Sequence, residues 1–217
     1  MFTRMLSAET IEDLRTQARH AIRGGYEEPP EIIDALVELI EYDPETEELV
    51  ASDRARAVAE VSSIVRDEDS AYLAEAASWP SETDCDRIAA VFADLESRGI
   101  VARENVGYTQ GDLSGEMSET VANLMKAGRT VRGWVGFHSQ DVERAVDRGG
   151  LYLGFAPVEA SRAGAWLEVG TDIVQTFQKA GFKVAWSGKA KQRPHLESLD
   201  WRRRRRGPIS RGLTEQR

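Results

Sequence analysis

"RGWVGFHSQDVERAV", residues 132–146, holds a strand and a helix that meet at one histidine. In the run from Thr130 to Phe137, alternation puts Val131, Val135 and Phe137 on one face and Arg132, Trp134 and His138 on the other. Beyond His138 the period changes. Val142, Ala145 and Val146 share a helical face, Ser139 stands where an N-cap belongs, and Asp141 lies in the first turn, where its charge favours the helix N-terminus. A strand running straight into a helix is the building unit of an α/β layer.

The neighbouring segments repeat that unit. Upstream, Ser81 is a candidate N-cap for a helix carrying Cys85, Ile88, Phe92 and Leu95, closed by Gly99, and "IVAREN" reads as a strand. The polar stretch "GYTQGDLSGEM" reads as a loop, followed by a helix near 117–127. Downstream, Gly149-Gly150 precedes a strand, "LYLGF". A helix follows from Ala163 to Ala180, with Trp166, Val169, Ile173, Val174 and Phe177 at helical spacing and Gly181 at its end. "FKVAW" and "LESLDWR" then read as two strands with a polar connection.

The first 80 residues have little strand character. Ile11, Leu14, Ala18 and Ile22 follow helical spacing up to Gly24-Gly25; Pro29-Pro30 opens a second helix with Ile33, Leu36, Val37 and Ile40; a third runs from about Ser52 to Ser78, where Trp79-Pro80 stops it. The pattern predicts an α/β or α+β protein. An acidic helical lobe (1–80) precedes a mixed-sheet domain with flanking helices and a C-terminal antiparallel strand pair (81–206), and a basic flexible tail (207–217) follows.

Charge is divided along the chain. Of 217 residues with a formal charge of −9, residues 1–100 hold 9 Lys+Arg against 24 Asp+Glu, a net −15, whereas residues 189–217 hold 10 against 3, a net +7. An acidic half repels nucleic acid, while the basic end attracts it locally. Cys85 is the single cysteine, which excludes an internal disulfide and a cysteine-built zinc site within one chain. No apolar run approaches the roughly 20 residues needed to span a bilayer, and the N-terminus lacks the marks of a secretion signal, so the expectation is a cytoplasmic protein without a membrane partner.

"WPSETDCDRIAAVFADLESRGIVAREN", "VRGWVGFHSQDVERAV", "GGLYLGF" and "LDWRRRR" resemble, in this order, segments of a family of bacterial proteins common in actinobacteria and known only as a domain of unknown function. The match covers most of residues 79–206, and the helical N-terminal segment also looks like what precedes the domain in that family. The resemblance implies a fold and a bacterial source but no activity. Where members of that family often carry a short cysteine-rich loop, this chain has Val106-Gly107-Tyr108-Thr109-Gln110-Gly111, so no thiol or metal role transfers to it.

His138 admits two readings. At the C-terminal end of a strand it occupies the position where open α/β sheets place ligands, and its chemistry suits a general base oriented by Asp141 or Gln140. Alternatively it is a corner residue beside a capped helix, which we rank first because sequence fixes no second titratable partner. Walker, G-x-G-x-x-G, G-x-S-x-G and H-E-x-x-H motifs are absent, and His20, His138 and His195 are too scattered for a metal motif. No cofactor is therefore expected. The tract Arg202–Arg206 beside Trp201 either binds phosphates and stacks on a base or docks on protein, including the chain's own acidic lobe; with Leu199 and Trp201 facing inward, alternate arginines occupy the exposed face of a final strand. The resulting expectation is a non-enzymatic binding or regulatory protein with a protein partner. Trp134, His138, Gln140, Asp141, Trp201, Arg203 and Arg205 are candidate contact residues. A hydrolase-like enzyme using His138, or a nucleic-acid-associated protein using the arginine tract, remains the alternative.

Overall fold

A computed structural model describes residues 6–190 and 192–205, which form two compact units: 6–79 with 203–205, and 80–202. The expected tail at 207–217, together with Arg206, lies outside the described residues. Among the described residues no helix is long and apolar enough to cross a membrane.

The first unit is helical: α1 (Ala8–Gly24), α2 (Pro29–Tyr42), α3 (Glu47–Ser52) and α4 (Arg54–Ala76). Ser7 caps α1 by accepting from the Thr10 N–H at 3.0 Å, and Gly25 ends it at φ 77°, a conformation glycine adopts without a Cβ clash. Ile11, Leu14 and Ile22 of α1, Ile32, Leu36 and Ile40 of α2, and Val61, Val65 and Tyr72 of α4 bury into one core. The helix expected from about 52 to 78 is present as α4, and the short α3 before it is an addition to the expected set. Asp53 leaves the helical conformation and caps α4 by accepting from the Arg56 N–H at 3.1 Å, so α3 is a separate short turn of chain.

Residues 203–205 belong to this unit and form no regular element, without the final strand anticipated there. The Tyr72 hydroxyl donates to the Arg203 carbonyl at 2.8 Å and accepts from the Arg205 N–H at 2.9 Å. The Arg203 guanidinium lies 3.9 Å from the centre of the Tyr26 ring, and Arg205 lies over Tyr72 while pairing with Asp69. Arg204 donates to the Trp79 carbonyl at 3.3 Å. These arginines are docked on the acidic helices by stacking and charge together.

The second unit contains α5 (Asp84–Ser97), β1 (Ile100–Arg103), α6 (Gln110–Lys126), β2 (Gly133–Gly136), α7 (Ser139–Arg148), β3 (Leu151–Tyr152), β4 (Gly154–Pro157), α8 (Ala165–Lys179), β5 (Lys183–Ala185) and β6 (His195–Glu197). One sheet has the order β1-β2-β4, with β2 parallel to β1 and antiparallel to β4. The other, β3-β6-β5, is antiparallel throughout and contains the expected C-terminal pair. The fold is thus of the α/β or α+β class. Trp134 packs with Leu113 and Met117 of α6, while on the opposite face Phe137 meets Phe92 of α5 and Phe92 meets Phe177 of α8. Both faces of β2 are covered, and its glycines let neighbouring chain approach closely. A Cβ at Gly133 or Gly136 would lie 2.7 Å from the carbonyl of Ala156 or Arg103.

Several boundaries move. Thr83, not Ser81, caps α5, because its hydroxyl accepts from the Asp86 N–H while the Asp86 carboxylate accepts from the Thr83 N–H at 2.9 Å. The same arrangement at Thr109 and Asp112 starts α6 at Gln110, inside the stretch expected as a loop. The Thr109 N–H and hydroxyl hold the Asp112 carboxyl below its ordinary pKa. The strand expected at 130–137 narrows to β2, and the one expected from 196 ends at Glu197, because Ser198 turns at φ 56°.

The arginine docking gives a stability prediction. Tyr72→Phe should cost about 1 kcal/mol through its two lost backbone hydrogen bonds. Arg205→Ala should cost about 1–2 kcal/mol, and Arg202→Ala, whose exposed pair is with Asp200, less than about 0.5. Thermal melts check the ranking; equal losses at 202 and 205 would contradict the docking account.

Candidate functional site

His138 sits where β2 gives way to α7, as the sequence implies, but the local roles differ. His138 itself is the N-cap, in extended conformation at φ −110° and ψ 172°. Ser139, expected as the cap, is the first helical residue, and its hydroxyl donates to the Gly107 carbonyl and approaches Asn105 Oδ1, both at 3.0 Å. The Ser139 and Gln140 N–H groups donate to the carbonyls of Gly107 and Tyr108, at 3.1 and 3.4 Å. Val106 N–H also donates to the Phe137 carbonyl at 2.9 Å. The chain between β1 and α6 therefore folds over the C-terminal ends of the two parallel strands and occupies the first free amides of α7. That is the position an open α/β sheet otherwise leaves for a ligand.

Asp141 is the charged centre of the corner. It is 1% exposed and His138 3%, so both are removed from water. The Asp141 carboxylate lies 3.0 Å from His138 Nε2 and 3.4 Å from the His138 N–H. Arg144, one turn along α7, donates to Oδ1 at 3.2 Å. Arg193, from the connection between β5 and β6, pairs with Oδ2 and donates from the same nitrogen to the Tyr152 carbonyl at 2.9 Å. Tyr152 completes the cluster. Its ring stacks on His195 at 4.2 Å, and Arg144 and Arg193 each lie 5.6 Å from its centre.

Burial pushes the His138 pKa below the ordinary histidine value; Arg193 and Arg144 push the same way, while Asp141 and the Tyr108 backbone oppose them. His138 Nε2 also lies 3.4 Å from Arg193 Nη1, so the ring stands between the carboxylate and the guanidinium that pair with each other. His138 Nδ1 is buried and makes no hydrogen bond of ordinary geometry. The arrangement ties a helix end to strand β3 and to the approach to β6. It offers no accessible base beside a nucleophile, since the Ser139 hydroxyl is engaged and Cys85 is buried on α5.

The other candidate residues do not converge here. Trp134 is buried against α6, Trp201 stands edge-on to Phe137 at 6.0 Å, and Arg203 and Arg205 belong to the helical unit. Gln140 takes part through its backbone N–H. The sequence reading missed Arg144, Tyr152, Arg193 and His195. Arg144 stands three residues after Asp141 and was legible as a helical charge pair, whereas Arg193 lies in a connection with no periodicity to mark it. Among the described residues no three His, Cys, Asp or Glu side chains form a group able to hold a metal ion.

Two expectations follow from this geometry. Arg193→Ala strands a buried carboxylate and should cost on the order of 3 kcal/mol, whereas Arg144→Ala, losing a half-exposed partner, should cost less than about 1 kcal/mol, as read by denaturant unfolding. Because the folded His138 pKa lies below the unfolded value near 6.5, its contribution is complete above about pH 6.5 and is lost as pH falls through the lower folded value. His138→Gln should therefore flatten the fall in stability between about pH 7 and 5.5, and parallel stability profiles for parent and variant would contradict this assignment.

No curated protein and no solved structure matches the chain. A family model described as "Domain of unknown function (DUF6891)" matches residues 7–205, so nearly all the described fold lies within it. The chain belongs to the DUF6891 family.

Proposed function

We propose that this is a bacterial cytoplasmic protein that acts by binding another protein and catalyses no reaction of its own. The observation that carries this reading is the closed corner at His138. The 104–109 segment covers the strand ends and Asp141 takes up the imidazole, so the position that would hold a substrate is occupied by the chain itself. The arginine tract argues the same way against a nucleic-acid role. Arg202 pairs with Asp200 at 2.9 Å, and Arg203, Arg204 and Arg205 rest on Tyr26, Trp79 and Tyr72. The single cysteine and the resemblance to bacterial proteins support the cytoplasmic setting.

The helical unit presents the surface for such binding. Leu39 is 45% exposed and Tyr42 77% exposed, both on α2, whose opposite side is in the core. Affinity capture with the tagged full chain tests the reading. A partner should be retained by His138→Gln and lost by Leu39→Asp with Tyr42→Asp. Retention by the α2 variant, with loss of the partner or of a measurable turnover in a folded His138→Gln protein, would overturn it.

A further inference from the structure

We propose that the outer face of α2, with the start of α4, receives a cationic amphipathic segment of a partner protein; this rests on the protein-binding reading above. Ala35, Leu39 and Tyr42 are spaced i, i+4 and i+7, an apolar stripe separate from the one that enters the core. Asp34, Glu38 and Glu41 have the same spacing and form an acidic stripe beside it. Glu41 holds Arg54, but among the described residues Asp34 and Glu38 have no ion-pair partner.

The surface is also concave. A groove of about 340 Å³ lies between Ile33, Val37 and Tyr42 on one side and Val58 of α4 on the other, with Asp34, Glu38 and the Glu41–Arg54 pair on its rim. Beside it, an open patch lined by Ala35, Leu39 and Asp43 shares Tyr42 and Glu38 with the groove. From Ile33 to Asp43 the helix rises roughly 15 Å, a length that matches about three turns of a docked helix. Its complement has apolar residues at i, i+3 or i+4, and i+7, flanked by lysine or arginine. The same unit already binds arginine with these elements, because Arg205 lies over Tyr72 and pairs with Asp69. Tyr42 beside Glu38 and Asp43 repeats that pairing of aromatic and carboxylate in the open. Anionic partners, nucleic acid and acidic lipid among them, are repelled by the same rim.

The test uses the full chain and two labelled peptides of about 14 residues, one with leucine and lysine at helical spacing and one with glutamate replacing each lysine, read by fluorescence anisotropy at ~0.15 M salt. The lysine peptide should bind and the glutamate peptide should not. Asp34→Lys with Glu38→Lys, and separately Tyr42→Ala, should weaken binding about tenfold or more, whereas Glu9→Lys with Asp13→Lys on α1, an equal charge change, should alter it less than about twofold. All substituted groups are solvent-facing, and circular dichroism confirms that the variants fold. Equal weakening by the α1 control would reduce the effect to general charge attraction and overturn the proposal, as would failure of the lysine peptide to bind. Tyr42-dependent binding of the glutamate peptide would overturn the cationic assignment while leaving the protein-binding reading intact. The capture experiment fails independently of these peptides, so the two conclusions are separable.

Discussion

A carboxylate withdrawn from water costs several kcal/mol unless cations and hydrogen-bond donors surround it, and Asp141 is withdrawn almost completely. Two of the groups that face it, His138 and Arg144, are local to α7 and come with the helix. The third, Arg193, arrives from 52 residues further along the chain. Its guanidinium reaches Asp141 only when β3 and β6 are paired, because the same group bonds the Tyr152 carbonyl and Tyr152 stands opposite His195 in the strand register. The charge therefore links correct pairing of the smaller sheet to correct seating of α7 on the larger one. A displaced β6 would carry Arg193 away and leave the carboxylate poorly compensated. The histidine is buried with the carboxylate and fills the space beside it.

Arginine over an aromatic ring with a carboxylate nearby recurs in the helical unit, there used to hold residues 203–205. Tyr72 matters most in that segment, since one hydroxyl satisfies a carbonyl and an N–H of backbone that lies outside any helix or strand. Composition alone gives a run of five arginines the appearance of a nucleic-acid contact. Planar guanidinium groups, however, stack on rings and pair with acids equally well within one chain, and the net −15 of the first 100 residues supplies the acids. Local availability of partners decides between the two uses.

Most helices were legible because their signals are local. Gly24-Gly25, Gly99 and Gly181 mark helix ends, and the apolar spacing of α1, α5 and α8 repeats over three turns or more. What sequence left hidden depends on single side-chain hydrogen bonds or on distant partners. The short helix α3, ended where Asp53 leaves the helical conformation, has too few residues to show a period. Gly111 and Gly115 make the start of α6 look like loop, yet the reciprocal Thr109–Asp112 bonds outweigh their low helix propensity. Strand β3 is two residues long, too short to carry a period. At the candidate site, His138 and Asp141 were readable as neighbours; Arg193 was not, because nothing in a polar connection indicates which of its residues turns inward.

These observations separate two kinds of polar residue. The charges at the His138 corner are paired within the chain, and any ligand there would have to displace the 104–109 segment and disturb the pairing of a buried charge at the same time. On α2 the situation is reversed. Its core-facing residues already anchor the helix, so Ala35, Leu39 and Tyr42 are not needed for that, and among the described residues Asp34 and Glu38 have no ion-pair partner. An incoming segment at that face loses no native hydrogen bond and removes exposed apolar area from water, which is the energetic condition for docking rather than for catalysis. On the proposed reading, the strand-end position is filled by the chain itself and the exposed face of α2 is where a partner docks.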